Sequence, residues 1–276
     1  MALWKLTLSY DGTSFHGWQV QPHLRTVQGT LAEAIRHITG ETVLPQGSGR
    51  TDAGVHALGQ VASFALACPI PPANLHRALN RLLPASTRIL SAEIVDPPFH
   101  ARHSALRKTY EYRIFASART AGGSSRSRDL PGGPICSPML APFVWDYPLP
   151  LDLDALNACA SAVLGRHDFT SFAARWEPTD STPTDPLPEY PSTPPTPCRE
   201  LFHSAWSRVD DLFVYRVTGS GFLHHMVRNL VGTFVQAGAG RSSPDAIPAI
   251  LAARSRSAAG PTAPARGLFL VNVEYR

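Results

Sequence analysis

The sequence predicts a fold of two halves, each an α/β sandwich of strands covered by helices, on three observations. Short runs with a two-residue hydrophobic period recur along the chain, and longer runs with the period of an amphipathic helix lie between them. The order strand, helix, strand, helix, strand before about residue 105 is followed by a similar order after it, without sequence identity between the two. The 276 residues have enough apolar content to bury a sizeable core. Residues 1–105 therefore read as one half and 106–276 as the other, and such a duplication invites a cleft between halves as the site.

The elements follow in order. Residues 4–10 alternate, with Trp4, Leu6, Leu8 and Tyr10 on one side, and end at Asp11-Gly12, so a half-buried strand runs into a turn. The next segment, Phe15-His16-Gly17-Trp18-Gln19, carries two large aromatics in a loop; it either closes a core edge or buttresses a site. Val27, Leu31, Ile35 and Ile38 mark a helix with Thr26 as N-cap and Gly40 at its end. Residues 60–66 read as a strand. Pro71-Pro72 open a helix whose Leu75, Leu79, Leu82 and Leu83 share a face before Pro84 ends it. A strand over 88–95 follows.

In the second half, residues 108–116 alternate as a strand. Residues 117–142 are rich in Gly, Ser and Pro without periodicity and read as an exposed insertion. A helix over 152–164 stops at Gly165. Eight of the 20 residues at 178–197 are proline, too many for a packed element, so this is a second insertion that loops out. Strands at 200–209 and 212–218 flank Asp210-Asp211 as a hairpin. Helices over 222–236 and 244–254 and a closing strand over 267–275 complete the chain.

Composition bounds the chemistry. A formal charge of +4, from 25 Lys plus Arg against 21 Asp plus Glu, permits an anionic partner without demanding one. Cys68, Cys136, Cys159 and Cys198 lie far apart with no CxxC pair, which suits a reducing, cytoplasmic setting. No run has the length of a signal-peptide core or a membrane span.

Polar function concentrates in two places. The stretch GSGRTDAGVHALG at 47–59 holds four glycines and sets Asp52 two positions from Arg50. A run so small and polar is a loop, either a surface turn or a loop that presents a charged pair to a ligand. The stretch GSGFLHHMVRN at 219–229 places His224, His225 and Arg228 on a predicted helix behind glycines. Adjacent helical histidines point about 100 degrees apart, and no acidic or thiol partner stands at ligand spacing, so no metal site is expected. The stretch also lacks the Lys and Ser or Thr of a phosphate-binding loop. Arg228 is instead suited to pair with a carboxylate, because an ionised Asp in a dry site needs a fixed cation.

Taken together, YDGTSFHGWQ, GRTDAGVHALGQVASF, FHARHSALRKTYEYRI, LGRHDFTSF, GFLHHMVRNLVGTF and GLFLVNVEY resemble, in order and spacing, the TruA family of tRNA pseudouridine synthases. The resemblance runs through nearly the whole chain and departs at the two insertions. It implies that a uridine base is detached from C1′ of its ribose, turned, and rejoined through carbon. Asp52 matches the catalytic aspartate, which attacks C1′ or takes the 2′ proton. Arg50 matches the residue that enters the space of a flipped base, and Arg228 the arginine that pairs with the carboxylate. Tyr110 matches the tyrosine that packs on the uracil, with a core aromatic as the alternative and Tyr112 fitting that alternative. Leu268 matches an apolar wall against the base, with plain core packing as its alternative.

The expected protein is an α+β enzyme in which two similar α/β sandwich halves share a mixed, largely antiparallel sheet, with Asp52 in the cleft. The resemblance further implies a homodimer acting on uridines 38, 39 and 40 of the tRNA anticodon stem-loop. No metal or organic cofactor is expected, since the isomerisation is redox-neutral and consumes no second substrate. A nucleosidase, which would release free uracil, and a non-catalytic RNA-binding module, which would not need Asp52, are the rival classes.

Overall fold

A computed structural model of the chain describes residues 1–117, 134–174 and 196–276. Its elements are β1 (Ala2–Tyr10), α1 (Val27–Thr39), β2 (Gln46–Gly47), β3 (His56–Leu66), α2 (Pro72–Leu82), β4 (Thr87–Val95), β5 (Arg107–Ala116) and β6 (Trp145–Tyr147). They continue as α3 (Leu153–Ser161), β7 (Gly165–Asp168), β8 (Cys198–Val209), β9 (Leu212–Gly219), α4 (Met226–Gly238), α5 (Ile247–Ala253) and β10 (Leu268–Glu274). The class is α+β, and the strand pairing is mixed and mostly antiparallel. No helix among the described residues is long and apolar enough to cross a membrane. Two compact units result: residues 1–109 with 268–276, and residues 110–267.

In the first unit, β1 lies between β4 and β3, antiparallel to both, with Trp4 opposite Phe64 on one side and Ile94 on the other. Its alternation is real: Trp4, Leu6, Leu8 and Tyr10 are buried. Because β3 is an interior strand, it buries residues of both faces, including Val61, Ala62, Phe64 and Leu66. The closing strand β10 returns to this unit and runs parallel to the start of β3, with Phe269 opposite His56. Thr26 caps α1 by accepting from Gly29 N, and Gly40 ends it in the left-handed conformation. Leu75 and Leu79 of α2 are buried and Leu83 is buried at its C-cap, but Leu82 is 46% exposed. The predicted four-leucine face therefore comprises three: the helix ends at Leu82, and the extended backbone of its C-cap turns Leu83 inward in place of Leu82.

In the second unit the strand order is β5-β9-β8-β7, with β6 parallel to β5. The Asp210-Asp211 turn makes the β8–β9 hairpin, which sets Trp206 opposite Tyr215. Asp152 caps α3 through Asp154 N and Ala155 N, and that helix ends at Ser161, before the predicted stop. Nearly every residue of α4 is buried, including the polar Asn229 and Thr233, whose side chains are hydrogen-bonded. The predicted helix over 222–236 is corrected at its start: residues 222–225 are not helical, and His225 holds φ 60 as the N-cap of α4. The left-handed backbone of His225 cannot lie inside a right-handed helix, and Ala174 N donates to His224 O at 3.0 Å. Of the two predicted insertions, 118–133 and 178–195 lie outside the described residues. Within 134–142, the chain passes through a turn into one 3-10 turn at Ala141–Phe143.

Candidate active site

Asp52 stands on the loop between β2 and β3. The loop has almost no apolar side chains with which to pack, so its position is set by hydrogen bonds, each of which closes a polar backbone group. Ser48 N donates to Val61 O at 2.7 Å, Ser48 Oγ donates to Gln60 Oε1 at 2.7 Å, and Ser48 O accepts from Lys108 Nζ. Gln60 Nε2 donates in return to Gly49 O at 2.9 Å. Thr51 O accepts from Trp18 N at 3.0 Å, and Thr51 Oγ1 shares a 2.8 Å hydrogen bond with Tyr10 OH. Val55 N closes back on Asp52 O at 3.1 Å, and Gly54 N donates to Phe15 O at 3.3 Å. Asp52 is left half-buried and Arg50 exposed.

The aromatic segment after β1 closes a core edge and also holds the Asp52 loop. Phe15 and Trp18 are buried, and the backbone of the same segment carries the Asp52 loop through Phe15 O and Trp18 N. Gly12 lies so close to the loop that a Cβ there would stand 2.0 Å from Val55 O. Burial pushes the Tyr10 phenol up to about 12, against the pull of its hydrogen bonds to Thr51 and Gln60, so Tyr10 anchors the loop as a neutral group. Leu268 is buried at the start of β10, and its neighbour Phe269 stacks on His56 with ring centroids 4.7 Å apart. Asp52, Arg50 and Leu268 thus belong to one unit, and His56 is a residue of that unit that the sequence reading passed over. The signal was an imidazole at the head of a strand in which Gln60 is the one other large polar residue.

Tyr110 and Arg228 belong to the second unit. Tyr110 is 8% exposed and meets the edge of Phe222 at 5.0 Å between centroids. Phe222 lies in the non-helical link between β9 and α4. Tyr112, read as a core residue, is fully buried and donates to Pro264 O at 2.7 Å. Beside it, burial and two arginines have opposite effects on Glu111. Burial raises its pKa, but hydrogen bonds from Arg216 Nη2 and Arg113 Nε, each 2.8 Å, hold it below the usual carboxylate range.

Arg228 lies in the first turn of α4, where Nε donates to Ala263 O at 2.8 Å and its own carbonyl accepts from Ala263 N at 3.1 Å. The segment 256–263 is strapped to the helix by further bonds. Asn229 Oδ1 accepts from Thr262 Oγ1 at 2.7 Å and from Arg256 Nη2 at 3.2 Å, and Asn229 Nδ2 donates to Phe172 O at 2.7 Å. Gly260 N donates to Thr233 Oγ1 at 2.9 Å. A Cβ on Gly232 would stand 1.7 Å from Pro261 O, so the strap runs directly over the helix backbone. The histidine pair expected on the helix lies instead in the turn before it, with ring centroids 4.0 Å apart.

Comparison with known proteins places these features in one family. A family model described as tRNA pseudouridine synthase matches residues 7–104 and 159–276, which takes in the Asp52 loop, α4 and β10. A tRNA pseudouridine synthase A of Solibacter usitatus is 47% identical over 272 residues, covering 98% of both chains. Those of Moorella thermoacetica and Bacillus pumilus are 43% and 40% identical, again over 98% of both chains. With the match running through both units and both polar regions, the chain belongs to the tRNA pseudouridine synthase family.

Proposed function

We propose that this protein isomerises uridine to pseudouridine in the tRNA anticodon stem-loop, at positions 38, 39 and 40, with Asp52 as the reacting carboxylate. The observation that carries the reading is the Asp52 loop itself. It presents a half-buried carboxylate on a backbone held from several sides, and Asp52 is the only acidic residue between β2 and β3. In the reaction the N1–C1′ bond breaks and a C5–C1′ bond forms, while the proton on C5 is lost and N1 gains one. Atoms and electrons balance without a second substrate. Attack of Asp52 on C1′ and removal of the 2′ proton both require the ionised form.

The remaining groups take roles that suit their settings. Arg50, exposed on the same loop, fills the space that a flipped nucleotide leaves in the stem. Tyr110, its ring braced edge-on by Phe222, packs on the uracil face, and Leu268 supplies an apolar wall. Arg228, its guanidinium oriented through Ala263 O, pairs with the carboxylate. The resemblance of the motifs supports a cytoplasmic homodimer, which light scattering of the purified chain would test.

The deciding experiment is pseudouridine mapping of tRNA incubated with the purified protein. New pseudouridine confined to positions 38–40 is expected. Free uracil in place of pseudouridine would make the protein a nucleosidase, and tRNA bound without any new product would make it a binding module.

A further inference from the structure

His56 is buried at the head of β3, four residues after Asp52, and joins three segments of the first unit. Its ring stacks on Phe269 of β10, the neighbour of Leu268. Its Nδ1 lies 3.0 Å from Gly12 N, at the turn after β1, and 3.2 Å from Asp11 Oδ1. Those two neighbours make opposite demands on one nitrogen: an amide N–H needs an acceptor, and a carboxylate needs a donor. The surroundings favour the amide. Asp11 Oδ1 already accepts from Thr13 N at 2.9 Å and Thr13 Oγ1 at 2.6 Å, and its side chain is 38% exposed to water. The Gly12 N to Nδ1 bond is buried, where water cannot replace a lost partner.

We infer that His56 is a positioning residue for the Asp52 loop, working as a neutral imidazole with its proton on Nε2 and with Nδ1 accepting from Gly12 N. Gly12 presses on Val55 O, and Val55 N closes on Asp52 O, so the imidazole fixes the far end of the loop that carries the carboxylate. A proton on Nδ1 would set N–H against N–H and turn that nitrogen to Asp11, releasing Gly12. His56 acts through these contacts, and the inference rests on the assignment of Asp52 above.

The test combines a spectroscopic and a kinetic measurement on the full chain. Nitrogen-15 NMR of histidine-labelled protein at neutral pH, with the His56 signal assigned by its loss in His56→Asn, is expected to show Nδ1 without a proton; a protonated Nδ1 overturns the proposal. In single-turnover assays on tRNA, His56→Leu is expected to slow product formation about tenfold or more with tRNA affinity changed about twofold or less, since small misplacements of a reacting group are costly. His56→Asn, whose Oδ1 takes the acceptor's place, should stay within about threefold of the parent rate. A fully active His56→Leu overturns the proposal, as does a folded but slow His56→Asn, which decides the matter if the leucine variant does not fold. Asp52→Ala is assayed alongside. Product from that variant would remove the assignment of Asp52 and this inference with it, whereas an inactive Asp52→Ala beside an active His56→Leu would remove the inference alone.

Discussion

Asp52 stands on an irregular loop held by side chains reaching in from regular elements: Gln60 of β3 and Lys108 of β5 bond its backbone, Tyr10 of β1 bonds the Thr51 hydroxyl, and His56 of β3 bonds Gly12 N in the turn that packs against it. Arg228 stands on a regular helix whose own side chains reach out to hold an irregular segment, through Asn229, Thr233 and Arg228 itself. In the first region the fixed scaffold orders the segment that carries the reacting group. In the second the guanidinium proposed to pair with the carboxylate is already on a rigid element, and the strap holds its Nε through Ala263 O. Placement of Asp52 should therefore depend on backbone contacts, and placement of Arg228 on side-chain geometry.

The largest effect belongs to Asp52, the proposed reacting group. Asp52→Ala should lower pseudouridine formation by roughly 10³-fold or more, with tRNA affinity within about threefold because phosphate contacts carry binding. Quantitative nucleoside analysis and a tRNA binding assay check this together. A well-folded Asp52→Ala protein with appreciable turnover would remove the loop from the chemistry and end the comparison.

A pair of glycine substitutions sharpens it. Gly12→Ala drives a methyl group toward Val55 O and Gly232→Ala drives one toward Pro261 O, at 2.0 and 1.7 Å before relaxation. Each should cost about 3 kcal/mol of stability by overpacking, read from urea unfolding. The consequences for turnover should differ at equal folded fraction. Val55 closes directly on Asp52, so Gly12→Ala should be nearly inactive; Pro261 is two residues from Ala263, so Gly232→Ala should keep a measurable rate. Equal losses of turnover would mean that backbone placement matters no more for Asp52 than for Arg228.

Arg228→Lys probes side-chain geometry on the rigid element. Lysine keeps the charge but loses both the fork and the Nε bond to Ala263 O. Turnover should fall about tenfold and tRNA affinity about twofold. If affinity falls as much as turnover, Arg228 contacts phosphate instead of orienting the carboxylate.

The sequence made some of this legible and concealed the rest for physical reasons. The cap at Thr26, the alternation of β1 and the turn at Asp210-Asp211 are local signals, and each appears where its residues place it. The start of α4 is hidden because Phe222, Met226 and Leu230 keep a helical spacing across it, while the αL backbone of His225 leaves no trace in a hydrophobic pattern. The return of β10 to β3 is a long-range pairing that no periodicity encodes. Asp52 is conspicuous in composition as a lone carboxylate among glycines, which leaves a surface turn and a ligand loop both open. Its anchors are not conspicuous, because Gln60, Lys108 and His56 act on backbone atoms that are the same in every residue.

The smallest effect tests a single anchor of the loop, Tyr10. Burial disfavours the phenolate and pushes the native Tyr10 phenol up to about 12, against about 10 in the unfolded chain. The native state thus keeps a proton that the unfolded state releases between those values. This contribution to stability is fully present below about pH 10 and is lost as pH rises through about 12, amounting to roughly 3 kcal/mol at most. Tyr10→Phe cannot ionise in either state. It should be less stable than the parent by about 1 kcal/mol at pH 8, for the lost bond to Thr51 Oγ1, and the gap should close as pH rises above 10. Tyr112, Tyr215 and Tyr275, whose phenols burial also pushes up, keep the alkaline fall present in both proteins. Urea unfolding at pH 8, 10 and 11 measures the difference, and a gap that stays constant would mean that Tyr10 is not held neutral. Turnover at pH 8 should fall about threefold or less, since Thr51 O and the other backbone contacts still fix the loop; a much larger loss would show that the hydroxyl pair, and not the backbone, holds Asp52 in place.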